Sequence, residues 1–202
     1  PLTIRGVAEI ASKHGVRVMD APVSGGDSGA IAGTLTIIAG GDESDFARCK
    51  GIFQAMGKEE NIFHVGDVGV GQTVKIINQL IGGINMAAIA EGLTLGIRAG
   101  ADPEMMRQVI GVSSGNSTLF QLRVKDFLLK DSFEPGFMLD LMKKDLGIGV
   151  DLGKALNVPV PIGAAAYQMY AAASGLGAGE QDFSAVCRAI EHLTGLKIGK
   201  AE

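Results

Sequence analysis

A lysine set into an otherwise greasy helical stretch is the first residue in this chain with an evident chemical use. In Gly71-Gln-Thr-Val-Lys-Ile-Ile-Asn-Gln79 the apolar run is broken by Lys75, Asn78 and Gln79. At about 100° per residue these three share one narrow stripe with Gly82 and Asn85. Ile76, Ile77, Leu80, Ile81, Ile84 and Ala88 cover the rest of the wheel. A polar stripe is by default the wet face of a helix. This one carries one base and no acid, its amides are short, and Gly82 lets another group approach the backbone closely. It therefore reads as the lining of a cleft. Desolvation in a cleft favours the neutral form of a lysine, so its amine can give or take a proton near the working pH. Asn78, one turn on, offers a donor and an acceptor to hold a hydroxyl or carbonyl oxygen against that amine.

Two further groupings can do chemistry. Asp20-Ala-Pro-Val-Ser-Gly-Gly26 lies at the carboxyl end of a predicted strand, which is where α/β sheets bind ligands. Ser24, Gly25 and Gly26 can present a hydroxyl and successive backbone N–H groups to an anion such as a carboxylate. By itself the same tripeptide is an ordinary turn. Met142-Lys-Lys-Asp-Leu146 falls inside a predicted helix, where Lys143 and Lys144 are by default exposed charges.

The elements that must position these groups divide the chain in two. Residues 3–14 have helical spacing and stop at Gly15, a natural left-handed cap. Residues 16–23 read as a strand, 24–33 as a loop, 34–40 as a strand, 43–57 as a helix capped by Asp42, and 61–66 as a closing strand. That order, about α-β-β-α-β over residues 1–71, is part of an α/β layer. No G-x-G-x-x-G follows any of these strands; Gly66-x-x-Gly69-x-Gly71 has the spacing reversed. From residue 72 the strand signals vanish. Helices are expected at 72–99, 103–111, 117–130, 138–156, 161–174 and 182–195, making 72–202 all-helical and dominated by its first, long helix. Asp102-Pro103-Glu104 supplies a cap, a first-turn proline and a first-turn acid. Glu134-Pro135-Gly136 reads as a turn and Val158-Pro-Val-Pro161 as an extended breaker. The long helix, apolar on most sides, is of a kind wrapped by other helices, here including those of a second subunit.

Composition bounds the partners. The 202 residues are 47% hydrophobic with a formal charge of −4, and no basic cluster is present to engage nucleic acid or an anionic membrane. Two distant cysteines, Cys49 and Cys187, imply no disulfide framework and fit a reducing, cytoplasmic setting. No uninterrupted apolar run reaches about 18 residues, and no metal site is expected.

DAPVSGG, GxGQxxKxxNQ and FEPGF…KKDLGIG, in this order and at these intervals, resemble the β-hydroxyacid dehydrogenase family over essentially the whole chain. That family includes 3-hydroxyisobutyrate dehydrogenase, tartronate semialdehyde reductase and 2-(hydroxymethyl)glutarate dehydrogenase, with 6-phosphogluconate dehydrogenase more distant. The resemblance implies a Rossmann-type domain binding NAD or NADP, followed by an all-helical domain for catalysis and homodimer or homotetramer contacts. It implies Lys75 as general acid/base, Ser24, Gly25, Gly26, Asn78 and Gln79 as substrate-binding residues, and Lys144 beside the nicotinamide. The family's glycine-rich fingerprint lies upstream of any residue present here, so the chain is expected to be a fragment carrying a Rossmann remnant. The main cofactor-binding segment is then absent, and the fragment alone is expected to be inactive. Alternative readings are a non-catalytic helical dimerisation module, a Schiff-base lysine enzyme, and a decarboxylating dehydrogenase of sugar-phosphate acids. The particular hydroxy acid and the choice between NAD and NADP are not legible in these residues.

Overall fold

The computed structural model describes residues 1–199, so the last three residues of the expected helical segment lie outside it. The chain divides into two compact units, Pro1–Asn78 and Gln79–Glu202.

The first unit begins with helix α1, Leu2–Ser12, followed by the left-handed Gly15 at φ 69°. Strand β1 is only Val23–Ser24. It pairs antiparallel with β2, Thr36–Gly40, through Val23↔Ile37 and Ser24↔Thr36. Most of the strand expected over 16–23 is therefore not paired. Asp20 still exchanges backbone bonds with Gly40, at 2.9 and 2.7 Å. Between these contacts stands Pro22, which accepts from Ile38 N at 3.0 Å but has no N–H to return, so the ladder is broken there.

The expected loop over 24–33 is also corrected, because it contains helix α2, Gly26–Ala32. Gly33 ends it in the left-handed conformation, and Ala30, Ile31 and Ala32 provide helix-forming residues between the glycines. The observed order is α-β-α-β-α-β. Helix α3, Glu43–Met56, begins as expected at Asp42, whose side chain accepts from Ser44 N at 2.8 Å. Strand β3, Ile62–Gly66, runs parallel to β2, giving the sheet order β1-β2-β3. Leu35, Ile37, Ala39 and Phe53 form this unit's core, with Met19, Phe46 and Ile62 packed against them.

Helix α4, Val70–Arg98, runs 29 residues and carries the boundary between the units. Among the described residues it is long and apolar enough to cross a membrane, yet 44% of its most apolar window is buried within the protein. The second unit continues with α5, Pro103–Gly111, and α6, Thr118–Arg123, the latter running on as a π-helical turn over Val124–Leu128. Asp102 caps α5 by accepting from Met105 N at 2.8 Å. Gly136 lies in a bend rather than a hydrogen-bonded turn. Helices α7, Leu139–Ala155, and α8, Pro161–Ala173, follow, and α8 continues into a π turn over Ser174–Ala178. A 3₁₀ turn at Phe183–Val186 leads into α9, Cys187–Thr194. The core of this unit includes Met86, Leu93, Val124, Leu139, Leu146, Tyr170 and Val186.

Candidate active site

In the first unit the chemistry is organised by the buried carboxylate of Asp20. Its Oδ1 accepts from Gly69 N at 2.5 Å and its Oδ2 from Gln72 N at 2.6 Å. Asp20 thus supplies from 49 and 52 residues away the cap that helix α4 needs for its first N–H groups. The helix can come this close because Gly71 has no side chain. A methyl there would run into the Ile38 carbonyl oxygen and sit 2.8 Å from Asp20 Oδ2. Lys75 follows one turn after Gln72 and is half-buried, while Asn78, a turn further, is exposed.

Four residues after Asp20, Ser24 ends β1 half-buried, and Gly25 and Gly26 carry the chain into α2 on the exposed side. Both glycines have positive φ, 132° and 61°, conformations that a side chain would strain. The turn is therefore built for backbone presentation, with Ser24 the one side-chain hydroxyl in it.

In the second unit Gln79 and Lys144 meet at a buried acid. Asp145, 6% exposed, accepts from Gln79 Nε2 at 3.0 Å through Oδ2, and Lys144 Nζ lies 3.0 Å from Oδ1. The Lys144 side chain is 60% exposed, so its ammonium is tethered at the surface and can still face a ligand. Lys143 departs from the exposed default. Its side chain is only 28% exposed, and its amine is held 2.7 Å from both Asp140 Oδ1 and Ser174 Oγ. The Lys143 ammonium, and then the Ser174 hydroxyl, which donates to Asp140 Oδ1 at 2.6 Å, hold the Asp140 carboxyl below its ordinary range.

Two residues escaped the sequence reading although each stands inside a motif it singled out. Asp20 was the first letter of the serine-diglycine segment and Asp145 the acid after the paired lysines. The available signal was an acid with apolar neighbours, Met19 and Ala21 beside Asp20 and Leu146 beside Asp145, which demands hydrogen-bond donors when it is buried.

For a nicotinamide cofactor, the tethered, outward Lys144 ammonium suits a carbonyl or hydroxyl of the nicotinamide end. The sequence holds no Gly-x-Gly-x-x-Gly fingerprint to take the pyrophosphate where a strand turns into a helix.

Residues 69–190 match the family described as NAD-binding of NADP-dependent 3-hydroxyisobutyrate dehydrogenase. Residues 1–66 match the NAD binding domain of 6-phosphogluconate dehydrogenase. The chain is 42% identical over 198 residues to 2-(hydroxymethyl)glutarate dehydrogenase of Eubacterium barkeri, covering 98% of this chain and 65% of that protein. It is 40% identical over 176 residues to 3-hydroxyisobutyrate dehydrogenase of Pseudomonas aeruginosa, covering 84% of this chain and 58% of that one. Among solved structures, 3-hydroxyisobutyrate dehydrogenase of Mycobacterium tuberculosis with L-serine superposes with a TM-score of 0.82 at 32% identity, over 93% of this chain and 65% of that chain. The chain thus spans 58% to 65% of the length of these three proteins.

Proposed function

This chain belongs to the β-hydroxyacid dehydrogenase family, and from that membership we propose that it serves an NAD(P)-dependent oxidoreductase interconverting a small β-hydroxy acid and its semialdehyde. The observation that carries the reading is the half-buried Lys75, one turn into a helix whose start is bonded to the segment ending in Ser24-Gly25-Gly26. Residues 1–71 serve as the C-terminal part of the dinucleotide-binding domain and 72–202 as the catalytic and oligomerisation domain.

Ser24, with the backbone of Gly25 and Gly26, binds the substrate carboxylate. Asn78 and Gln79 hold the reacting oxygen and orient it toward Lys75. In reduction the Lys75 ammonium gives its proton to the aldehyde oxygen as the carbonyl carbon receives hydride. In oxidation the neutral amine takes the hydroxyl proton as hydride leaves the same carbon. NAD(P)(H), when bound, supplies or accepts that hydride. Lys144, tethered by Asp145, holds the nicotinamide end. The exposed Ile81 and Leu95 on α4, 61% and 71% accessible, suit a homodimer or homotetramer built through this helix, in a cytoplasmic setting.

The test is made in the full-length protein by screening small 2- and 3-hydroxy acids and their semialdehydes through nicotinamide absorbance. Lys75→Met is expected to lower kcat by about 10²–10⁴ with folding unchanged, the range a positioned acid/base contributes. Turnover preserved in Lys75→Met would leave the helical dimerisation module as the better reading. Carbon dioxide released with each turnover would favour a decarboxylating enzyme instead.

A further inference from the structure

Asp20 stands where two parts of the proposed site must keep register, and nothing local explains its placement. Its backbone is bonded to Gly40 at the end of β2, its carboxylate holds Gly69 N and Gln72 N, and Ser24 follows four residues on. The residue is 4% exposed. A buried carboxylate with two N–H donors, one for each oxygen, has a single geometry in which both bonds survive. That geometry sets the distance between the segment ending in Ser24 and the first turn of α4. Lys75 lies one turn beyond Gln72 on the same rigid helix, so any tilt or slide of the helix start is carried to its amine. The contact has no slack, because Gly71 brings the helix against Ile38 and Asp20 with no room for a methyl.

We propose that Asp20 is a positioning residue for the proposed dehydrogenase reaction, fixing the helix that bears Lys75 relative to the Ser24-Gly25-Gly26 turn. It touches neither substrate nor cofactor. Its effect is on the alignment of the proton donor with the reacting oxygen, and a misplacement of about 1 Å is enough to lower turnover by about 10²-fold. The carboxylate matters as a pair of acceptors. Asparagine keeps one acceptor and turns an N–H toward an N–H, so it cannot cap both donors. Serine keeps the size small and can accept from only one of them.

The inference rests on the proposed function, and the test separates the two. In the full-length protein, Asp20→Asn and Asp20→Ser are compared with Lys75→Met and with Asp42→Ala, which removes the cap of α3 in the same unit. Expected for D20N is a fall in kcat of about 10–100-fold, with the inhibition constant of a non-reacting small carboxylate within about twofold of the parent. D20S should fall between D20N and the parent. Asp42→Ala should lose melting temperature while keeping kcat, which separates alignment from stability. A loss of turnover in Lys75→Met with kcat unchanged in folded D20N and D20S would overturn the inference and leave the function standing. Preserved turnover in Lys75→Met would overturn both. A rise in the inhibition constant that accounts for the whole loss, or failure of both Asp20 variants to fold, would also overturn it, making Asp20 a part of the binding turn or of the fold.

Discussion

Gln79 Nε2 donates to Asp145 Oδ2 across 3.0 Å in a buried setting, joining positions 66 residues apart in the chain. Asp145 is thereby held between an amide on α4 and the Lys144 ammonium. Removing the amide takes a hydrogen bond from one oxygen of a buried carboxylate, while the largely exposed Lys144 engages the other. Gln79→Leu is therefore expected to lower stability by about 1–3 kcal/mol. Urea denaturation checks this; a midpoint matching the parent's would mean that water replaces the amide.

Close packing at the start of α4 yields a paired glycine prediction. At Gly71 a methyl meets the Ile38 carbonyl oxygen and Asp20 Oδ2, so Gly71→Ala should destabilise by about 1–3 kcal/mol or more. At Gly92, on the same helix, nothing lies within 4 Å of an added methyl. Gly92→Ala should stabilise by about 0.5–1 kcal/mol, the difference between the two residues in a helix interior. Opposite shifts in melting temperature are expected, and shifts of the same sign would contradict the packing described.

The two cysteines should separate by reactivity. Both are free thiols, Cys49 half-buried and Cys187 fully buried, and burial pushes the Cys187 thiol well up. A thiol reagent under native conditions should label Cys49 first. Labelling of Cys187 should follow global unfolding, tracked by mass spectrometry against denaturant.

Acid should test the Asp140 cluster. The Lys143 ammonium, then the Ser174 hydroxyl, hold this carboxyl below its ordinary 3.8. A carboxyl lowered in the folded state contributes stability above its unfolded value and loses it as pH falls through the lower, folded one. In Lys143→Met the carboxyl should titrate at higher pH, nearer 3.8, and its share of the acid-side stability loss should shrink. Carboxyl NMR titration reads the first effect directly; an unmoved titration would mean that Ser174 suffices.

Local features were legible in the sequence where the physics is local. Asp42 and Asp102 cap the helices that follow them because a short acid reaches the N–H groups two or three residues on. Helix α5 occupies the residues that Asp102-Pro103 and the apolar spacing predicted. The segment 24–33 misled because its glycines outweighed one turn of helix-forming residues. The segment 16–23 misled because strand character needs a bonded neighbour, and Pro22 interrupts the one it has.

By itself the sequence determined the succession of a strand-containing part and a helical part, the placing of Lys75 on an apolar helix, and the three motifs whose order marks the family. Periodicity, caps and motif spacing are properties of neighbouring residues, so they can be read along the chain. Only the tertiary structure decided that Asp20 caps α4, that Asp145 joins Gln79 to Lys144, and that Lys143 is drawn in toward Asp140 and Ser174. A buried or half-buried charge takes whichever donors the folded chain brings within about 3 Å. For Asp20 with Gly69 and Gln72, Gln79 with Asp145, and Lys143 with Ser174 that choice is made across tens of residues, where no local pattern records it.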